Sequence, residues 1–270
     1  TLANQLSAAQ PAALFSTTNL PTRASLNAAR EQADQLRRLM IASQEELDWR
    51  CYRLYGLLQA GIVIEETDFD TSIEVALGER AFEIVLARRV AAGTEQTTWF
   101  QRHGATPITE IPFHWPEDYR QVVQRRIDLI ERDRNIGLIE RPEYKRRWNT
   151  PSWESLEQAA LRDWLLARLE SPRYWPRLDG SGGDATPQLM STSRLADVAG
   201  RDAEFMQIGA LYAGHADFDL NPFVANLVAA ESVPFLPALR YTDTGMRKRA
   251  QWEETWALQR REDAGENVGK

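Results

Sequence analysis

Apolar residues along this chain recur mostly at three- and four-residue steps, the spacing that gathers them on one face of a helix. From about Ser25 to Tyr55 the apolar positions are Leu26, Ala29, Ala33, Leu36, Met40, Leu47 and Leu54, with Arg30, Glu31, Asp34, Arg37 and Arg38 between them. The pattern predicts one long helix stopped by Gly56. Leu77 to Ala92 repeats it with Phe82, Val85, Leu86 and Val90 and ends at Gly93, and a short helix is expected over Glu95 to Arg102. Glu117 to Asp133 sets Tyr119, Val122, Val123, Ile127 and Ile130 inward. Thr150 before Pro151 reads as an N-cap followed by proline at the first helical position. The helix it opens, to about Glu170, presents Trp153, Leu156, Ala160, Leu161, Trp164, Leu165 and Leu169. Further helices are expected at about 192–213, 221–231 and 245–264.

The breaks are as informative. Residues 1–21 are rich in Ala, Ser, Thr, Asn and Gln with weak periodicity and read as a loose lead-in. Ile62, Val63 and Ile64 are β-branched and precede an acidic run, which allows a short strand or an extended connection. Pro107, Pro112 and Pro116 mark a rigid extended loop. The run from Asp179 to Pro187, with Gly180, Gly182 and Gly183, is the clearest linker. No internal repeat appears. The expected class is mainly α, an irregular multi-helix domain with a long N-terminal helix and little strand. The expected organisation is a lead-in and long helix over 1–58, a helical module over 59–178 and a Gly/Ser linker over 179–187. A C-terminal helical module over 188–270 is expected to pack on the preceding one.

Composition narrows the chemistry. With 270 residues, 43% of them hydrophobic, the chain can bury a core. One cysteine, Cys51, excludes a disulfide framework or a multi-cysteine metal site, and it reads as a half-buried structural thiol. The three histidines, His103, His114 and His215, exclude a His-rich metal site. No apolar run approaches the roughly 18 residues a membrane span needs, and no signal peptide opens the chain, so a cytoplasmic setting is expected. The chain opens on Thr1 rather than Met, which suggests a piece of a longer protein. All but three of the 32 basic residues are arginine, the exceptions being Lys145, Lys248 and Lys270. Arginine forks suit phosphate and carboxylate. The net charge of −7 confines any nucleic-acid contact to a local basic face.

Several constellations carry residue types that could do chemistry. Glu143-Tyr144-Lys145 matches half of a nuclease metal site but lacks an upstream strand-borne aspartate, so a charged helix start is the plainer reading. His215, Asp217 and Asp219 alternate, yet no further ligands complete a metal shell. The glycines at 180–183 lack the phosphate-loop pattern. Asn221-Pro222-Phe223 is one proline short of the Asn-Pro-Pro-aromatic motif that holds a flipped adenine. The richest segments are basic and aromatic. Arg141, Lys145, Arg146 and Arg147 stand with Tyr144 and Trp148, preceded by Arg120, Arg125, Arg126, Arg132 and Arg134. Arg247, Lys248 and Arg249, and then Arg260 and Arg261, lie on the last helix. These segments suit phosphate tracking with base stacking, or else solvated helix faces ion-paired through Glu131, Asp133, Glu140, Glu143, Glu253, Glu254, Glu262 and Asp263. Nine tryptophans are many for this length. Trp153, Trp164, Trp252 and Trp256 are read first as helix–helix core, and second as a partner surface.

Longer motifs then identify a family. Gln44-Glu-Glu-Leu-Asp-Trp-Arg-Cys-Tyr-Arg-Leu-Tyr-Gly56 begins a series. It continues through Leu77–Ile84, Thr106–Pro112, Glu140–Trp148, Ala160–Leu165, Leu239–Tyr241, Gly245–Trp256 and Arg260–Gly265. Together they resemble the C-terminal region of the PglX-type adenine-specific DNA methyltransferases of bacteriophage-exclusion (BREX) and phage-growth-limitation systems. The resemblance implies a parent enzyme that methylates adenine N6 in a short DNA site with S-adenosylmethionine, marking host DNA while the rest of the defence system acts on unmodified phage DNA. The cofactor and Asn-Pro-Pro-aromatic motifs of such enzymes do not occur here, so no catalytic residue carries over. The chain is expected to be a non-catalytic accessory module, without cofactor or metal of its own, that supports DNA engagement. The alternative is a scaffold that docks other phage-defence proteins. The residues expected at phosphates are Arg141, Lys145, Arg146, Arg147, Arg247, Lys248 and Arg249.

Overall fold

A computed structural model describes residues 1–15, 20–58, 72–148, 150–175, 190–229 and 243–267. Among them every regular element is helical, as the periodicity predicts. In chain order the helices are α1 (Leu2–Ala8), α2 (Pro11–Leu14), α3 (Arg23–Leu54), α4 (Ala81–Ala91), α5 (Trp99–His103) and α6 (Glu117–Arg132). They continue with α7 (Arg134–Ile139), α8 (Trp153–Leu169), α9 (Thr192–Ala199), α10 (Ala203–Ala213), α11 (Leu220–Ala229) and α12 (Asp243–Asp263). Single 3-10 turns occur at Pro142–Tyr144 and Pro172–Tyr174. The Ile62–Ile64 run, the 179–187 linker, Pro234, Pro237 and the Leu239–Tyr241 motif lie outside the described residues.

The chain divides into two compact units, one of Thr1–Ala13 with Leu26–Trp153, the other of Leu14–Ser25 with Glu154–Lys270. In the first unit the lead-in is not loose. Thr1 caps α1 by accepting from the Asn4 amide, and Leu2, Leu6 and Trp153 pack on Ala9, Ala33 and Leu36. The main core joins α3, α4 and α6 through Ile41, Trp49, Phe82, Ile84, Val85, Val123, Ile127 and Ile130. The proline-punctuated segment 104–116 is irregular, as expected, and sends Ile108, Ile111 and Trp115 onto this core.

Helix α3 departs from its apolar pattern halfway along. Leu26, Ala29, Ala33, Leu36, Ile41 and Ala42 are buried, but the inward sector then continues through Glu45, Glu46 and Trp49. Leu47 and Leu54, which the periodicity places inward, are 53% and 84% exposed. A buried carboxylate is tolerated only when donors meet it, and Arg126 on α6 supplies them. Its two terminal nitrogens donate to the two oxygens of Glu46, both at 2.7 Å.

In the second unit Leu161, Leu165 and Leu169 of α8 meet Leu195 of α9, Phe205 and Ile208 of α10, and Val224 and Leu227 of α11. Helix α8 starts at Trp153, two residues beyond Pro151. The single helix expected over 192–213 is two, because Asp202 caps α10 by accepting from the Glu204 amide at 3.1 Å. Asp202 also accepts from Arg168 at 2.8 Å and from Arg173 and Tyr174. Phe223 sits in the first turn of α11 and packs on Phe205, Phe218 and Tyr212. Asn221 gives its amide to Asp219, so this segment is a helix start. The last helix, α12, is exposed from Gln251 onward, including Trp252 and Trp256, which corrects the expectation that these two pack in a core.

Burial alone would raise the Asp202 carboxyl, but the hydrogen bonds from Arg168, Tyr174 and Arg173 outweigh it and hold the group well below the usual carboxylate range. Its folded pKa therefore lies below the unfolded value of about 3.9. The stability it contributes is complete above that value and fades as pH falls through the folded pKa. Melting of the chain from pH 6 down to pH 2 should show this acid loss in the second unit. The Asp202→Asn variant should start less stable and lose less over the same range.

Candidate nucleic-acid interface

The surface of the first unit rests on three buried ionic knots. The first is centred on Glu83 of α4, which has no exposure. Its carboxylate accepts from the Gly78 amide at 2.8 Å, from the Arg80 amide at 3.3 Å, from Arg80 Nε at 2.9 Å and Nη2 at 2.8 Å, and from Trp99 Nε1 at 2.9 Å. Gly78 has φ +100, and a Cβ there would lie 2.0 Å from the Thr106 carbonyl oxygen, so only glycine fits. Arg88 donates to the Thr109 carbonyl at 2.7 Å. The Leu77–Ile84 and Thr106–Pro112 motifs are thus two sides of one contact. Arg80 also donates to the Arg146 carbonyl at 3.0 Å, which ties α4 to the segment after α7.

The second knot is the Arg126–Glu46 pair, with the guanidinium over the Trp49 ring and Trp49 Nε1 donating to Glu45 at 3.0 Å. Burial would lower the Arg126 pKa, but Glu46 outweighs it and keeps the group charged. The third knot joins α3 to the 140–145 turn. Lys145 Nζ donates to Glu140 and to Asp48, each at 2.8 Å, and the Tyr52 hydroxyl donates to Glu140 at 2.7 Å. Burial would lower the Lys145 pKa, but Glu140, Glu45, Tyr52 and Asp48 raise it well above its ordinary value. Burial pushes Tyr52 far up as well.

Of the residues expected at phosphates, Lys145 is placed inward, its amine held between two carboxylates. That also removes it from the half nuclease site, since Glu143 beside it is exposed. Among the described residues no group of three or more His, Cys, Asp or Glu is placed to hold a metal. Arg146 lies over the Trp148 ring and reaches Gln44 at 3.3 Å. Arg141 and Arg147 are exposed. Arg247, Lys248 and Arg249 stand on α12 in the other unit, where Arg249 pairs with Glu253 at 2.8 Å and Arg247 reaches Thr244.

Around Arg141 and Arg147 three shallow clefts adjoin. An open one of about 840 Å³ is lined by Arg102, His103, Trp99, Glu95, Glu143 and Arg147. The next shares Glu95, Pro142 and Glu143 with it and adds Arg89 and Arg141. The third shares Arg89 and Arg141 and adds Arg132 and Arg134. Arg89 pairs with Glu95 at 3.6 Å. The other five, Arg102, Arg132, Arg134, Arg141 and Arg147, are exposed and make no ion pair among the described residues. Arg89 and Arg102 do not stand out in the sequence, because Arg89 has only Arg88 beside it in α4 and Arg102 is the one arginine of α5. Only the fold brings them beside the 141–147 segment. His103 is fixed at one ring nitrogen: Nδ1 lies 2.8 Å from the Trp99 carbonyl, which only accepts, so Nδ1 carries the proton. Its ring stacks on Trp99 with centroids 3.9 Å apart.

Unpaired guanidiniums spread along adjoining clefts suit a chain of anions better than a single small ligand. The chain belongs to the family described as a domain of unknown function, DUF7008, which matches residues 40–270. It is 50% identical over 264 residues to a Streptomyces coelicolor protein named adenine-specific methyltransferase PglX. That alignment covers 97% of this chain and the C-terminal 21% of the relative, so the chain spans about a fifth of the relative's length. The resemblance read from the Gln44–Gly56 motif onward is borne out. No solved structure matches the chain.

Removing one partner of a buried ion pair strands the other charge, at a cost of about 3–5 kcal/mol. Lys145→Met should therefore lower the stability of the first unit by roughly that amount in urea unfolding. Adding Glu140→Gln to Lys145→Met should recover part of the loss. A Lys145→Met protein as stable as the parent would show that the amine is not held in this knot.

Proposed function

We propose that this chain is a non-catalytic module of an S-adenosylmethionine-dependent adenine-N6 DNA methyltransferase of a phage-exclusion defence system, acting in the cytoplasm and supporting DNA engagement. The observation that carries this reading is the set of five exposed arginines without ion pairs along the three connected clefts. Carboxylates line the same clefts, but among the described residues none comes within ion-pair distance of these five, unlike Glu253 at Arg249 on α12. The similarity to PglX supports the enzymatic setting. Among the described residues there is no strand, so none of them forms the strand-borne glycine-rich turn that cradles S-adenosylmethionine in many methyltransferases. On this reading methyl transfer belongs to another part of such an enzyme, and the work of this chain is to hold DNA. No helix among the described residues is long and apolar enough to cross a membrane.

Phosphate contact gives a defined electrostatic signature. Each neutralised phosphate releases counterions, so the logarithm of affinity falls with the logarithm of salt at a slope near −0.9 per contact on duplex DNA. In fluorescence anisotropy with a short duplex, Arg141→Glu with Arg147→Glu should weaken binding at least about tenfold at low salt and reduce the slope by about 2. Both changes are at exposed positions and should leave the melting temperature close to that of the parent. Binding with unchanged affinity and slope would exclude this face.

A second reading, docking of other defence proteins, is favoured by α12. Trp252 is 60% and Trp256 48% exposed, with ring centroids 6.1 Å apart on one helix. Aromatic pairs of this kind serve as anchors in protein interfaces. If α12 is the working surface, Trp252→Ala with Trp256→Ala abolishes capture of a partner while DNA affinity stays unchanged.

A further inference from the structure

Tyr144 lies in the turn between Arg141 and Arg147, next to the proposed phosphate face, and has no role in the fold. It is 67% exposed and its hydroxyl has no hydrogen-bond partner among the described residues. Its backbone, by contrast, is held firmly. The Pro142–Tyr144 turn is flanked by Glu140 and Lys145, which are buried and bonded to each other at 2.8 Å, so the turn is closed at its base by an ion pair. The Tyr144 amide donates to the Arg141 carbonyl at 3.0 Å, and the Lys145 amide to the Pro142 carbonyl at 3.3 Å. Immediately after it, the Arg146 carbonyl is held by Arg80. Arg141 is the N-cap of this turn, and the bond between its carbonyl and the Tyr144 amide holds the two residues next to each other. Glu143, beside them, lines two of the clefts and would lie next to any bound strand.

A free aromatic ring on a pinned turn loses little entropy on binding and offers a flat apolar face. Beside a guanidinium that has no carboxylate, it matches the alternation of phosphate and base along a nucleic-acid strand, with Arg141 on the phosphate and Tyr144 on the base. Bases in an intact duplex are already stacked on each other, and their faces are closed to a side chain. We propose that Tyr144 stacks on an unpaired base, so that the 141–147 segment prefers single-stranded or locally opened DNA to intact duplex. This rests on the DNA-binding reading above and adds to it a specific residue and a specific form of the ligand.

The test uses the full chain, a single-stranded oligonucleotide with one 2-aminopurine, and a duplex of the same length. The single strand should bind more tightly than the duplex, and 2-aminopurine fluorescence should be quenched on binding as the ring stacks. Tyr144→Phe keeps the ring and should keep both effects. Tyr144→Ala should weaken single-strand binding on the order of 5- to 100-fold and remove the quench, with the salt slope unchanged because no phosphate contact is lost. If Tyr144→Ala binds the single strand as tightly as the parent, the stacking role is overturned. If Arg141→Glu with Arg147→Glu still reduces affinity and slope in that case, the phosphate face stands without it. If the parent chain binds neither oligonucleotide, the DNA-binding reading falls and the stacking proposal with it.

Discussion

A carboxylate with no exposure must be met by donors, and Glu83 is met by five. Removing any of its neighbours leaves a charge in a low-dielectric interior, which is among the costliest defects a fold can carry. This requirement explains features that are otherwise unconnected. Gly78 is glycine because the backbone must turn back to bring its amide to Glu83 while passing close to Thr106. Trp99 is tryptophan because its indole nitrogen reaches the same oxygen that Arg80 Nη2 contacts. Arg80 is arginine because one fork serves Glu83 and its remaining nitrogen serves the Arg146 carbonyl. A lysine has no second arm for that carbonyl. Through Arg80, the position of the 141–148 segment is a consequence of how one buried acid is satisfied.

The same logic divides the basic residues of the first unit into two groups with opposite work. Arg80, Arg126 and Lys145 are buried and paired, and they fix α3, α4, α6 and the 140–145 turn. Arg102, Arg132, Arg134, Arg141 and Arg147 are exposed and stand on the framework so fixed. A buried ion pair adds little net stability over well-packed apolar side chains, but it penalises every arrangement that separates the partners. Such pairs are therefore suited to holding a surface segment in one position. Loops lacking such ties rely on the entropy of ordering being repaid at the moment of binding.

Much of the fold was legible because helix period is a local signal. The bounds of α3 and α6 fall within two residues of those read from the apolar spacing. What escaped was the content of the inward face. The periodicity offered Leu47 and Leu54 as core, and the structure puts Glu45, Glu46 and Trp49 there instead. A pattern of apolar residues has no means of recognising an acid as interior, since the justifying partner, Arg126, is 80 residues away. Lys145 was misplaced for a related reason. Its neighbours in sequence are cations, so it read as one of a surface group, whereas Asp48 lies 97 residues away. A local hint existed in Glu140, five residues earlier and itself part of the Glu140–Trp148 motif. The exposed Trp252 and Trp256 are the converse case, apolar residues at helical spacing with no opposing face among the described residues.

The acidic balance of the whole chain bears on the proposed face in a limited way. At physiological ionic strength a charge is screened beyond about 8 Å. A phosphate lying in the clefts responds to the guanidiniums within that distance and hardly at all to acids elsewhere on the molecule. The net charge of −7 acts at longer range, where it opposes approach. Contact strength and approach rate are thus governed by different charges. The first depends on the unpaired arginines and on Glu95, Glu131, Asp133 and Glu143 among them. The second depends on the total. Under the proposed function, such a module approaches DNA slowly by itself and gains when tethered to a DNA-bound enzyme, because tethering replaces long-range attraction with effective concentration. An acidic chain with a local arginine face is therefore consistent with work done as part of a longer protein.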